Sequence, residues 1–129
     1  MRKQKKPVVP TAERIISLNR LIIDSSPINE IHSVLNMGSV EFIADRVSGM
    51  ENIWDIAARL LMDLIDAHAF AEGNKRTALL AMETFLSQNG HNFNIDKDEL
   101  YFVYRIAGYG DKPKFEEIRQ WIKDHGGKK

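Results

Sequence analysis

The chain has 129 residues and no cysteine. That removes disulfides, a thiolate nucleophile and cysteine-ligated metal sites together. It fits a reducing cytosol, and a cytoplasmic location is the expectation. Net charge is lacking too, since 18 Lys and Arg balance 18 Asp and Glu. Such a balance argues against broad electrostatic binding to nucleic acid or a membrane surface. No run approaches the about 18 apolar residues of a membrane span. The basic opening, "MRKQKKPVVP", is followed by no apolar stretch of the signal-peptide kind. Residues 1–10 are therefore expected to be a solvated, disordered basic arm rather than a nucleic-acid arm. Repeats, low-complexity segments and strand alternation long enough for a sheet are all missing. The rest, residues 11–126, suits one domain able to bury a core without staples.

What is present is helical periodicity. Thr11 is placed to cap a helix that carries Ile15, Leu18 and Ile22. Pro27 closes that helix, because the residue before a proline disfavours helical backbone. Residues 27–38, "PINEIHSVLNMG", read either as an extended stretch or short hairpin or as a loose loop. Ser39 is predicted to cap a helix reaching about Val47. Asn52 caps the strongest pattern. Ile53, Ile56, Ala57, Leu60, Leu61 and Leu64 make a continuous buried stripe, and His68 is its next position. A second helix is predicted from near Asn74, with Leu79, Met82 and Leu86 on its apolar face and Asn89-Gly90 as its stop. "HNFNI" (91–95) reads as a short extended connector. Asp96 with Glu99 resembles a capping box ahead of Leu100, Val103, Tyr104 and Ala107. A loop, "GYGDKP", precedes a last helix with Phe115, Ile118 and Ile122 that ends before Gly126. The fold class is all-α.

Between the two strongest patterns lies "HAFAEGNKRT", residues 68–77. The N-terminus of a helix offers free N–H groups and the positive end of the dipole, so it attracts anions. Gly73 lets an anion approach the backbone, and Asn74 is able to add an amide donor. Lys75 and Arg76 put cations in the first turn, where they cost stability unless a polyanion is bound. Glu72 is the one carboxylate and suits a hard cation beside phosphates. His68 exchanges a proton near neutral pH. Each part has a plainer reading: a structural histidine, a turn with a solvated basic helix start, a core anchor at Phe70. The order of residues is not that of a Walker A loop. Zinc on His68 and Glu72 lacks a second His or Cys motif. Residue by residue, the stretch supports an anion site at a helix start.

As a whole, "HAFAEGNKRTAL" resembles the Fic/Doc signature, His-x-Phe-x-Asp/Glu-Gly-Asn-Gly/Lys-Arg. His68, Phe70, Glu72, Gly73, Asn74, Lys75 and Arg76 fill its fixed positions. "TAERIISLNRLII" and "GSVEFIADRVSGME" are similar to the opening segments of the death-on-curing (Doc) branch. The resemblance implies a compact helical core with the signature loop between two central helices, and a flap placed here in residues 27–38 that aligns a target peptide by strand-like pairing. It implies His68 as general base, Glu72 as Mg²⁺ ligand and Phe70 as a structural residue. Gly73, Asn74, Lys75 and Arg76 would hold the phosphates of ATP, with Thr77 as helix surface or local support. AMP-transferring members carry Gly at the place of Lys75 and a second Arg at the place of Leu79, whose spacing here suggests core packing. The Lys form without that Arg is similar to Doc, so the implied activity is a toxin phosphorylating a protein hydroxyl, as on elongation factor Tu. AMP transfer is the alternative, and a non-catalytic binding module the next. "SPINEI" (26–31) has the Ser and Glu spacing of the family's inhibitory motif but ends in Ile31, and with Leu79 its Glu is expected to lack a partner. Control is expected from a separate antitoxin chain.

Overall fold

The computed structural model describes residues 6–94 and 100–128. Among these, six helices and two short strands run α1 (Ala12–Asp24), α2 (Met37–Ser48), α3 (Ile53–Ala67), α4 (Asn74–Gln88), β1 (His91–Phe93), α5 (Leu100–Ile106), α6 (Phe115–His125) and β2 (Gly126–Lys128). Among the described residues the regular structure is all-helical apart from that strand pair. Side-chain caps set three of the six helix starts. The Thr11 hydroxyl accepts the Arg14 N–H at 3.1 Å. The Asn52 amide oxygen accepts the N–H groups of Trp54 and Asp55 at 3.0 and 3.1 Å. α2 begins earlier than predicted. Its cap is Asn36, whose amide oxygen accepts the Ser39 N–H at 3.0 Å, so Ser39 lies inside the first turn.

α3 is the central element, and α2, α4 and α6 all pack on it. Its stripe is fully buried at Ile56, Ala57, Leu60 and Leu61, and Leu64 is buried as well. Burying each such leucine or isoleucine contributes about 1.5–3 kcal/mol, so this helix and its partners fix the frame on which its C-terminal end is presented. α4 returns antiparallel to it and buries Ala78, Ala81, Met82, Phe85 and Leu86. α1 crosses α4 and α2 and buries Ile15, Leu18 and Ile23, with one polar residue, Asn19, fully buried among them.

One feature lies beside the helical frame. The connector after α4 forms β1, which pairs antiparallel with β2 in the register His91↔Lys128, Asn92↔Gly127 and Phe93↔Gly126. Three-residue strands are too short to show a period of two in sequence. Aromatic rings fix this end, Phe102 stacking on Trp121 at 4.6 Å and Phe93 meeting Trp121 edge-on at 5.5 Å. The capping box expected at Asp96 and Glu99 lies outside the described residues. So do residues 1–5 of the expected arm, while Val8 is held to Asn89 through the amide oxygen (2.9 Å) and nitrogen (3.0 Å). No helix among the described residues is long and apolar enough to cross a membrane.

Candidate functional site

The joint between α3 and α4 is built from strained and pinned backbone. His68 caps α3 in the left-handed region (φ 46°, ψ 44°) and is the one non-glycine with positive φ among the described residues. For a residue with a Cβ this costs roughly 1–2 kcal/mol, and the left-handed backbone ends α3 at this residue. Ala69 and Phe70 then dive into the core, 0 % and 2 % exposed. The backbone of this dip is paired. Ala69 O accepts the N–H groups of Leu35 and Asn36 (2.7 and 3.1 Å), and Ala71 N–H donates to Ser33 O (2.9 Å). Val34 and Phe70 form an antiparallel bridge. Within residues 27–38 the extended reading therefore holds at 33–36, and Met37 and Gly38 already belong to α2.

Gly73 opens α4 with φ 79°. An added Cβ there would sit 3.2 and 3.3 Å from Ile23 Cδ1 and Ile22 Cγ2, and 3.4 Å from Asn19 Nδ2. Both the left-handed backbone and the closeness of α1 require glycine. Asn74 lines both clefts at this joint, and its amide also bonds to the loop backbone. Its Oδ1 accepts the Phe70 N–H (3.1 Å) and its Nδ2 donates to Phe70 O (2.8 Å), so it closes the signature loop on itself. The Lys75 ammonium lies 5.7 and 5.9 Å from the ring centres of Tyr104 and Tyr109. Arg76 is paired with Glu30 at 2.6 Å. Hydrogen bonds from Arg76 and Ser26 hold the Glu30 carboxyl below its ordinary range, and the same carboxylate raises Arg76. Glu30 thus has a motif arginine as partner despite Leu79, contrary to the sequence expectation. It lies in the loop between α1 and α2, not on a helix.

Glu72 accepts the Ile31 N–H through Oε2, which leaves its second oxygen available. No group of three or more metal-ligating side chains occurs among the described residues. The free oxygen of Glu72, in a cleft where Arg76 already pairs Glu30, would suit Mg²⁺, which keeps several waters and takes its other ligands from substrate phosphates. The residues present therefore fit a phosphate-borne ion and not a preformed cage.

Two adjoining clefts share Gly73, Asn74 and Lys75. The smaller, about 270 Å³, is lined by His68, Glu72, Glu30 and Tyr109 as well. The larger, about 420 Å³, continues past Arg76 to Leu79, Leu100, Val103 and Tyr104. Leu79, expected in the core, packs against it only in part and forms a wall of this cleft. Thr77 is fully buried, which excludes the helix-surface reading and leaves local support: its hydroxyl accepts from Asn19 Nδ2 at 3.0 Å. The structure brings His68, Glu72, Gly73, Asn74 and Lys75 to one cavity, while Arg76 lines the adjoining one. Sequence reasoning missed Asn19 and the tyrosines Tyr104 and Tyr109. The signal for Asn19 was available: it sits four residues after Ile15 on an otherwise apolar stripe.

Residues 11–86 match the model of the Fic/DOC family. Over 57 residues the chain is 44% identical to Toxin Doc of Mycolicibacterium smegmatis, an alignment covering 41% of this chain and 44% of that protein. The chain thus spans less than half the length of that relative. The family match runs from the Thr11 cap through α4 and includes the whole joint from His68 to Arg76. On that extent the chain belongs to the Fic/DOC family.

Proposed function

We propose that the protein is a Doc-like toxin that transfers the terminal phosphoryl group of ATP to a hydroxyl of a protein target, of the elongation factor Tu kind. The observation that carries this reading is the pair of clefts meeting at the first turn of α4, with His68 in one and an apolar wall in the other. In-line transfer needs a base, a phosphate cradle and charge neutralisation held in fixed geometry, and little covalent chemistry from the protein. His68 takes the proton of the target hydroxyl as its oxygen bonds to phosphorus. The bond to the β-phosphate oxygen breaks, and ADP leaves. The α4 backbone at Gly73, with Lys75 and Arg76, holds the phosphates, and Arg76 must exchange Glu30 for them. Glu72 would hold Mg²⁺, which would supply charge neutralisation on those phosphates. The apolar cleft of Leu79, Leu100, Val103 and Tyr104 suits the nucleoside.

Lys75 and Leu79 favour transfer of the terminal phosphate over AMP transfer. An apolar side chain at 79 offers no cation for phosphates lying beyond an attacked α-phosphate. The segment 33–36 pairs with the signature loop along one edge, and strand geometry turns the backbone groups of His32 and Val34 to the other, where an extended target peptide would add. An antitoxin chain as regulator and a cytoplasmic location belong to the same reading, in keeping with the name of the mycobacterial relative. The test is the intact mass of purified elongation factor Tu after incubation with the protein and Mg–ATP. A gain of one phosphate supports the proposal. A gain of one AMP favours the alternative. No gain, together with growth arrest that His68→Ala does not relieve, points to a binding module.

A further inference from the structure

The amide of Asn19 is fully buried and joins three segments far apart in sequence. Its Nδ2 donates to Glu72 O and to Thr77 Oγ1, both at 3.0 Å. Its Oδ1 lies 2.9 Å from His32 Nδ1. The pattern settles the chemistry of the network. Nδ2 faces two acceptors, so a flipped amide would set oxygen against the Glu72 carbonyl. Oδ1 is then an acceptor, and His32 Nδ1 carries the hydrogen. Every polar atom of this buried amide has a partner, and a satisfied buried network holds its members in one arrangement.

The bond to Glu72 O has a consequence for the cleft. The Glu72–Gly73 peptide is trans, like every peptide bond among the described residues. In a trans peptide the carbonyl and the N–H point in opposite directions. Asn19 draws the carbonyl down toward α1, so the Gly73 N–H points away from α1. The side of Gly73 where a Cβ would stand faces Ile22, Ile23 and Asn19, and the residue also lines both clefts. The N–H therefore points to where an anion would lie. We infer that Asn19, outside the signature, is a positioning residue that aims the Gly73 N–H into the phosphate cleft and ties that aim to the flap through His32. This rests on the reading of the cleft as a nucleotide site.

The experiment uses the full chain and Mg–ATP, with binding read separately from phosphoryl transfer. In the wild type, Mg–ATP shifts the Gly73 backbone amide resonance. Asn19→Asp keeps the size and the acceptor for His32 but sets a carboxylate oxygen against Glu72 O. It weakens Mg–ATP binding roughly 10- to 100-fold, somewhat less than the 10²–10³ seen in rate when such a donor is removed outright, and abolishes the Gly73 shift in protein that still unfolds cooperatively. Thr77→Val, which leaves the Glu72 contact in place, changes affinity by no more than about threefold on the same scale. A Gly73 amide that ignores Mg–ATP in the wild type overturns the inference with no variant needed. So does equal loss in Thr77→Val and Asn19→Asp, which would mark a general core role. Absent phosphoryl transfer with these binding results intact would overturn the proposed activity and leave the role of Asn19 standing.

Discussion

Asn74 gives the sharpest dissection of the signature loop, because its amide bonds to the loop backbone while the residue also lines both clefts. Asn74→Ala deletes two hydrogen bonds to Phe70, of 2.8 and 3.1 Å. Neutral bonds of this kind contribute about 1 kcal/mol each. Alanine recovers roughly 0.5 kcal/mol in helix propensity, so the net loss is about 1–2 kcal/mol. Asn74→Asp behaves differently. The carboxylate still accepts the Phe70 N–H and gains about 0.5 kcal/mol at the positive end of α4, while the bond of about 1 kcal/mol to Phe70 O is lost and an oxygen is left facing that carbonyl. Its net cost in stability is therefore about as large as that of alanine. It places a negative charge in the first turn beside Lys75, however, and repels phosphate. Urea unfolding followed by circular dichroism measures the first effect, and calorimetric titration with Mg–ATP the second. The expected outcome is a split in binding: both variants lower the unfolding free energy, and Asp weakens nucleotide binding well beyond Ala. An Asn74→Ala protein with an unchanged midpoint and lost ATP binding would refute the reasoning, since the amide would then be a ligand and not a clip.

Two further outcomes are expected. Glu30 has a lowered pKa because Arg76 and Ser26 hydrogen-bond its charged form; its stabilising contribution is therefore complete above the ordinary glutamate value of 4.5 and is lost as pH falls through the lowered folded value. Glu30→Gln accordingly unfolds earlier than wild type at pH 7, converges with it in acid, and binds Mg–ATP more tightly because Arg76 is released; unchanged affinity at neutral pH would contradict the competition. Gly126→Ala drives a Cβ to 2.8 and 2.9 Å from the Trp54 ring at an ordinary φ of −89°, and overpacking of this kind costs about 1–3 kcal/mol. Gly127→Ala, with nothing within 4 Å of the new atom, stays within about 0.5 kcal/mol of wild type, both read by thermal unfolding.

The helices were legible because their information is local. The caps at Thr11 and Asn52 and the stripe from Ile56 to Leu64 lie within a few residues of what they govern. The α2 start was not, because Asn36 and Ser39 are both good caps. The Asn36 side chain caps while its own N–H goes to Ala69 O, a contact with the signature loop that no local rule reports. The site divides the same way. The signature announces His68, Glu72 and Gly73, but the bonds that hold them come from distant chain. Asn19 reaches residues 53 and 58 positions away, and Glu30 meets Arg76 across 46. An asparagine on an apolar stripe shows in sequence only that something polar must meet it. Asn74 illustrates the limit of a motif: the pattern gives the residue, while the geometry turns its amide inward onto Phe70.

The most direct test of the account is transfer of label from ATP to protein in a cell extract, comparing wild type with His68→Ala and γ-labelled with α-labelled ATP. The account predicts a protein labelled by γ-labelled ATP alone, with the signal lost in His68→Ala. Labelling from α-labelled ATP, or labelling that survives His68→Ala, would contradict it.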